Sequence, residues 1–132
     1  MTQSQIRILL VDKYEIVLHG LAKHIATHED MLVVGEATDG DDAIALCGKT
    51  NPDVVVVDLN PPGMDSVELT RSITTLYPKI RVIVMTLFID EKKRKVVLDA
   101  GGFCYLLKGN PIGELLSSIR YSNLTKPKSI DL

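Results

Sequence analysis

Apolar residues along this chain fall into two alternating patterns. Short, nearly unbroken runs rich in Val, Ile and Leu occur at Ile6–Val11, 32–37, Val54–Asp58, 82–86 and 103–107. Runs of this kind predict strands of a parallel sheet covered on both faces. Val54-Val55-Val56-Val57 is the clearest, because a half-exposed strand would show polar residues at alternate positions. Between the runs, apolar residues recur at helical spacing. Val17, Leu21 and Ile25 share a face of segment 14–28, and Ala43, Leu46 and Cys47 a face of 41–49. Val67, Ile73 and Leu76 predict a helix over 65–77, and Val96, Val97 and Ala100 one over 90–100. Ile112, Leu115, Leu116 and Ile119 mark a last helix over 111–122. Pro111 suits its first turn, where a missing N–H costs nothing.

Turn signals separate these segments at Asp39-Gly40, Asn51-Pro52, Pro61-Pro62-Gly63 and Gly101-Gly102. The result is a strand–helix unit repeated five times. Such alternation predicts an α/β fold, a doubly wound parallel sheet with helices on both faces. Its crossovers should be right-handed. No internal repeat or low-complexity segment interrupts the pattern.

Length and composition narrow the picture without changing it. The 132 residues fit one domain, placed at 1–124, with 125–132 as a polar tail or the start of a linker. A net charge of -2 gives no bulk electrostatic reason to bind nucleic acid or an anionic membrane. Cys47 and Cys104 lie far apart and form neither a metal-ligand spacing nor a disulfide framework. Residues 1–5 lack an apolar signal region, and no run approaches the length of a membrane helix. The cytoplasm is therefore the expected location.

In an open α/β sheet, the functional crevice lies beyond the carboxyl ends of the strands. The first strand here leads to Asp12-Lys13, the third ends at Asp58, the fourth at Thr86, and the fifth leads to Lys108. Carboxylates, ammonium groups and a hydroxyl are thus expected on one rim. Single acids at strand ends are commonplace; the ordered set is not.

These residues resemble a known family. Ile8-Leu9-Leu10-Val11-Asp12, Val55-Val56-Val57-Asp58-Leu59, Pro62-Gly63-Met64-Asp65, Met85-Thr86 and Tyr105-Leu106-Leu107-Lys108 are similar to the successive motifs of bacterial response-regulator receiver domains. The similarity runs from Ile6 to Arg120. Glu15-Ile16-Val17, Val33-Val34-Gly35-Glu36-Ala37 and Asp58-Leu59-Asn60 resemble the LuxR-like, nitrate-response type of branch. The resemblance implies a flavodoxin-like (βα)5 fold with strand order 2-1-3-4-5. It also implies a regulatory phosphoacceptor rather than an enzyme, with at most slow self-phosphorylation and dephosphorylation.

The resemblance further implies roles at matched positions. Asp58 would take a phosphoryl group from a histidine kinase, Lys108 would pair with a phosphate oxygen, and Thr86 would hydrogen-bond another. Tyr105 would be the aromatic that reports the change to the face of the fourth helix, fifth strand and fifth helix. Asp12, Asp58 and the backbone carbonyl of Asn60 would hold magnesium. Self-association into a homodimer is compatible with this reading, and DNA would be reached only through a helix-turn-helix output domain outside this chain. The chemistry agrees with these roles. A carboxylate attacks phosphorus only where charge on the phosphoryl oxygens is neutralised, and magnesium favours carboxylates plus water.

The chain departs from the family pattern where a second acid would follow Asp12. Lys13 stands there. A direct ligand is lost, and an added positive charge is expected to weaken magnesium binding, either from the cation position or by pairing with Asp58. The plainer alternative is that the long side chain turns its ammonium into water. Pro61 beside Pro62 should stiffen the loop after Asp58. Ser66 replaces a common glycine, Gly109 follows Lys108, and Leu87 is larger than the usual neighbour of Thr86.

Other features have bland explanations. His24 and His28 share a helix spacing but lack a third ligand, so a solvated helix end is expected. Glu91-Lys92-Lys93-Arg94-Lys95 reads as an exposed helix face. Tyr105 fits either a switch or a core aromatic, Cys104 should pack on the opposite face, and Asp65 fits a helix cap. A phosphorylation-independent pseudo-receiver is the second reading. A flavodoxin-like enzyme or nucleotide binder is disfavoured by the absence of a phosphate-binding loop.

Overall fold

A computed structural model describes residues 4–58 and 65–125. Five strands and five helices alternate in order. They are β1 (Ile6–Val11), α1 (Glu15–Ile25), β2 (Met31–Ala37), α2 (Gly40–Thr50), β3 (Val54–Asp58), α3 (Ser66–Leu76), β4 (Arg81–Thr86), α4 (Glu91–Asp99), β5 (Cys104–Leu107) and α5 (Ile112–Leu124). The sheet is parallel, with order β2-β1-β3-β4-β5.

Strand alternation divides the core into two layers. Leu9, Val11, Val55, Val57, Val82, Val84 and Tyr105 face α2, α3 and α4. Ile8, Leu10, Val54, Val56 and Ile83 face the other way and pack with Leu18 and Ile25 of α1 and Leu115, Leu116 and Ile119 of α5. Each fully buried Val or Ile of β3 and its neighbours contributes roughly 1.5–3 kcal/mol of transfer free energy. Cys104 joins the α1–α5 layer, opposite Tyr105, as expected. Burial pushes the thiols of Cys47 and Cys104 up to about 11, so neither carries a thiolate at neutral pH.

Helix ends follow their local chemistry. Asp39 accepts from the Asp42 N–H at 2.8 Å, Asp65 from Val67 at 2.6 Å and Asp90 from Lys92 at 2.9 Å, starting α2, α3 and α4. Pro111 occupies the cap of α5 rather than its first turn. Its fixed φ suits the cap, and α5 begins one residue later than the sequence pattern suggested. Three apolar assignments shift. Val17, Val96 and Leu76 are 37%, 45% and 59% exposed; Leu18 and Leu69 are buried instead, and Val97 is buried as expected.

Candidate functional site

The strand order places the carboxyl ends of β1 and β3 side by side, where the winding of the chain reverses. Asp12 follows β1. Its backbone N–H donates to the Ala37 carbonyl at 3.1 Å, and its carboxylate accepts from the Tyr14 N–H at 3.0 Å. That second bond turns the chain into α1 and holds the Asp12 side chain inward, with 6% of it exposed. Asp58 ends β3, with 14% of its side chain exposed.

Lys108 follows β5, anchored by its own N–H donating to the Thr86 carbonyl at 2.6 Å. Its ammonium crosses the rim and lies 2.9 Å from both Asp12 Oδ2 and Asp58 Oδ1. Burial alone would lower the Lys108 pKa. Hydrogen bonds and charge from Asp12 and Asp58 outweigh it, and the pKa is raised. The ammonium is therefore firmly charged at neutral pH.

Thr86 ends β4, but its hydroxyl is turned along the chain. It donates to the Phe88 carbonyl at 2.9 Å and accepts from the Phe88 N–H at 3.2 Å. Tyr105 is buried, and its hydroxyl donates to the same carbonyl at 3.4 Å. Arg94 of α4 stacks its guanidinium 5.6 Å from the Tyr105 ring centre. Neither Phe88 nor Arg94 stood out in the sequence. The Phe88 contribution is a backbone atom, which no residue pattern announces; Arg94 lay inside the charge run. The rest of that run is a solvated face tied by Glu91–Arg94, Lys95–Asp99 and Lys93–Asp65 pairs.

Lys13 does not enter the site. Its side chain is exposed and its ammonium sits 5.0 Å from the centre of the Tyr14 ring. Pairing of Lys13 with Asp58 is therefore not what the structure shows. The local charge is that of Asp12, Asp58 and Lys108, one unit negative. Asn60, with Pro61 and Pro62, lies outside the described residues. His24 and His28 stack at 5.9 Å, and no metal-binding cluster of three or more His, Cys, Asp or Glu occurs among the described residues.

Residues 8–120 match the family model of the response regulator receiver domain. The chain belongs to this family. A curated relative, the transcriptional regulatory protein LiaR of Bacillus subtilis, is 39% identical over 93% of this chain. This receiver domain spans 58% of the length of LiaR. A LuxR-family two-component response regulator from Aurantimonas is similar in structure, with TM-score 0.87 and 32% identity, covering 93% of this chain and 88% of that one. The isolated receiver of RcsB from Salmonella enterica serovar Typhimurium, solved with a phosphomimetic, has TM-score 0.84 and 26% identity, covering 95% and 93%. These likenesses place the receiver domain in the LuxR-like branch. No described helix is long and apolar enough to cross a membrane.

Proposed function

We propose that Asp58 is the phosphoryl acceptor of a two-component relay in the cytoplasm. The observation that carries this reading is the convergence of Asp12, Asp58 and Lys108, from three strand ends, within hydrogen-bond distance of one ammonium. An Asp58 oxygen attacks the phosphorus of a phosphohistidine on the kinase. The P–O bond forms as the P–N bond breaks, and the histidine leaves with the electron pair. Lys108, already charged, stays beside the acceptor and pairs with a phosphoryl oxygen. Thr86 lies one strand over, and its hydroxyl exchanges the Phe88 carbonyl for another phosphoryl oxygen.

The donor set fits a weakly held magnesium ion. Asp12, Asp58 and the Asn60 carbonyl would hold it, with waters in the remaining positions. When bound, it supplies positive charge opposite the phosphoryl oxygens. The missing acid at Lys13 removes one ligand, and the exposed Lys13 ammonium, screened by water, adds little repulsion. Self-phosphorylation and dephosphorylation are accordingly slow.

The phosphorylated state acts by shifting a two-state population. Its output is control of transcription through a DNA-binding domain outside this chain, in keeping with the regulatory relatives. Self-association is a natural form of that output.

Incubation with acetyl phosphate and magnesium, followed by mass spectrometry, tests the reading. A gain of one phosphoryl group, absent in Asp58→Ala, is expected. No gain at saturating magnesium overturns it and favours a phosphorylation-independent interaction module. One observation suits that second reading: the Lys108 ammonium pairs with both carboxylates at 2.9 Å, the positions a metal ion would use.

A further inference from the structure

A cavity of about 350 Å³ opens between α1 and α5, on the opposite side of the sheet from Tyr105. Leu10, Val56 and Leu106 form its floor, with Leu21 and Leu115 on its walls. Its size falls within the range of small-molecule sites, roughly 300–1,000 Å³. Gly20 lies at the wall contributed by α1, and a Cβ placed there would meet nothing within 4 Å. Gly20 is exposed, so a side chain there would stand at the mouth of the cavity.

The polar groups of this cavity are not evenly charged. Asp12, Asp58, Lys108 and Glu114 all line it. The Lys108 ammonium is already engaged by both aspartates, each at 2.9 Å. Glu114 adds a further carboxylate, which accepts from the neutral Asn110 amide at 2.6 Å. Three carboxylates and one ammonium leave these four groups two charges negative beside an apolar chamber. Asp12 is 5% exposed, so its field is poorly screened by water.

We propose that this cavity binds a small organic cation, with an apolar body between α1 and α5 and an ammonium group at the Asp12–Asp58–Glu114 rim. A neutral apolar molecule gains only the burial. An anion of the same shape meets net repulsion. Binding itself does not depend on phosphotransfer. Its regulatory consequence rests on the reading of Asp58 above: an ammonium beside Asp12 and Asp58 opposes entry of a metal ion and slows phosphorylation.

The test compares phenethylamine, phenethyl alcohol and phenylacetate, three probes of similar shape and different charge, by amide NMR titration. Phenethylamine is expected to shift the amides of Gly20, Leu21, Leu115 and Lys108. It should bind about five-fold more tightly than the alcohol, with phenylacetate weakest. Glu114→Gln should narrow the gap between amine and alcohol. Gly20→Leu, which adds an apolar side chain at the cavity mouth from a helical position that favours leucine, should weaken the shifts while the remaining spectrum stays folded. Equal affinity for the three probes overturns the proposal, as do shifts located elsewhere or unaltered binding by Gly20→Leu. Cavity amides that move only with protein concentration would assign the space to a second copy of the chain and also overturn it. Phosphorylation measured separately by mass distinguishes the two readings, since loss of either result leaves the other standing.

Discussion

Thr86 and Tyr105 hold the same acceptor, the backbone carbonyl of Phe88, from hydroxyls at 2.9 and 3.4 Å. A ligand that draws the Thr86 hydroxyl toward Asp58 must give up two bonds to Phe88, because that hydroxyl also accepts the Phe88 N–H. Tyr105 then keeps the carbonyl alone. Phe88 and Leu87 are 81% and 69% exposed, so the segment that moves carries apolar surface. Addition of beryllofluoride and magnesium should shift the amides of Phe88 and Ile89 strongly. In Thr86→Ala those shifts should shrink, and in Tyr105→Phe they should persist. Thr86→Ala should cost about 1 kcal/mol of stability, and Tyr105→Phe less, since its bond is long. Equal beryllofluoride shifts in Thr86→Ala and the parent would sink this coupling.

Lys13 separates the effect of a missing ligand from that of an added charge. Its ammonium rests 5.0 Å from the Tyr14 ring centre, and the side chain is exposed. Lys13→Met should therefore change magnesium affinity by no more than about two-fold, because water and salt screen an exposed charge. Lys13→Asp restores an acid beside Asp12 and should raise that affinity by about ten-fold, with faster phosphorylation by acetyl phosphate. Calorimetric magnesium titration of both variants checks this. A gain in Lys13→Met matching that in Lys13→Asp would show that the ammonium itself obstructs the metal.

The sheet was legible because β1, β3 and β4 are buried on both faces and therefore carry almost no polar residues. Helix faces were less so. In α1, Leu18 and Val17 both fit a spacing with Leu21 and Ile25; packing chose Leu18 for the core and left Val17 lining the cavity. In α3, Thr70 is buried because its hydroxyl donates back to the Ser66 carbonyl at 2.7 Å, which hides a polar residue in the apolar face. At the site, Asp12, Asp58 and Lys108 could be placed together because each stands at a strand end. The direction of Lys13 could not, since four rotatable bonds decide it. The Phe88 carbonyl has no side-chain signal at all.

Acid sensitivity should reside partly in the pair that ties α5 to the turn before β2. Arg120 lies 2.7 Å from Asp30 and holds its carboxyl below the ordinary aspartate value, through hydrogen bonds that outweigh desolvation. A depressed folded-state pKa means stability that is fully present above the unfolded value and lost as pH falls through the folded one. The side chains are 40% and 42% exposed, so the contribution is below about 1 kcal/mol. Asp30→Asn should be slightly less stable than the parent above about pH 5, with the difference fading below about pH 4. Urea midpoints across that window measure it. A gap that widens on acidification would contradict the assignment.

The turn between α4 and β5 demands glycine. Gly101 has φ of +105°, and a Cβ there would lie 2.5 Å from Thr74 Oγ1 and 2.9 Å from Thr74 Cβ. That hydroxyl is itself held between the Thr70 and Ala100 carbonyls, at 2.9 and 3.0 Å, so it cannot simply swing aside. Gly101→Ala should cost about 2–3 kcal/mol, combining backbone strain and overpacking. Adding Thr74→Ala should recover part of the loss, because it removes the Oγ1 and Cγ2 contacts but leaves the 2.9 Å contact with Cβ and φ unchanged. Full recovery would show that backbone strain contributes nothing.

Ser66 should behave in the opposite sense. It opens α3, is wholly buried, and its hydroxyl has no partner among the described residues. A buried unpaired hydroxyl costs about 1–3 kcal/mol against water. The groups that organise this helix start do not depend on it. Asp65 caps Val67, and Thr70 uses the Ser66 carbonyl rather than its side chain. Ser66→Ala removes the unpaired oxygen, keeps Cβ in place and leaves a space too small to hold a water. Stability should rise by about 1 kcal/mol, read as a higher urea midpoint with an unchanged slope. A lower midpoint would mean that the hydroxyl has a partner, and that α3 is anchored through it.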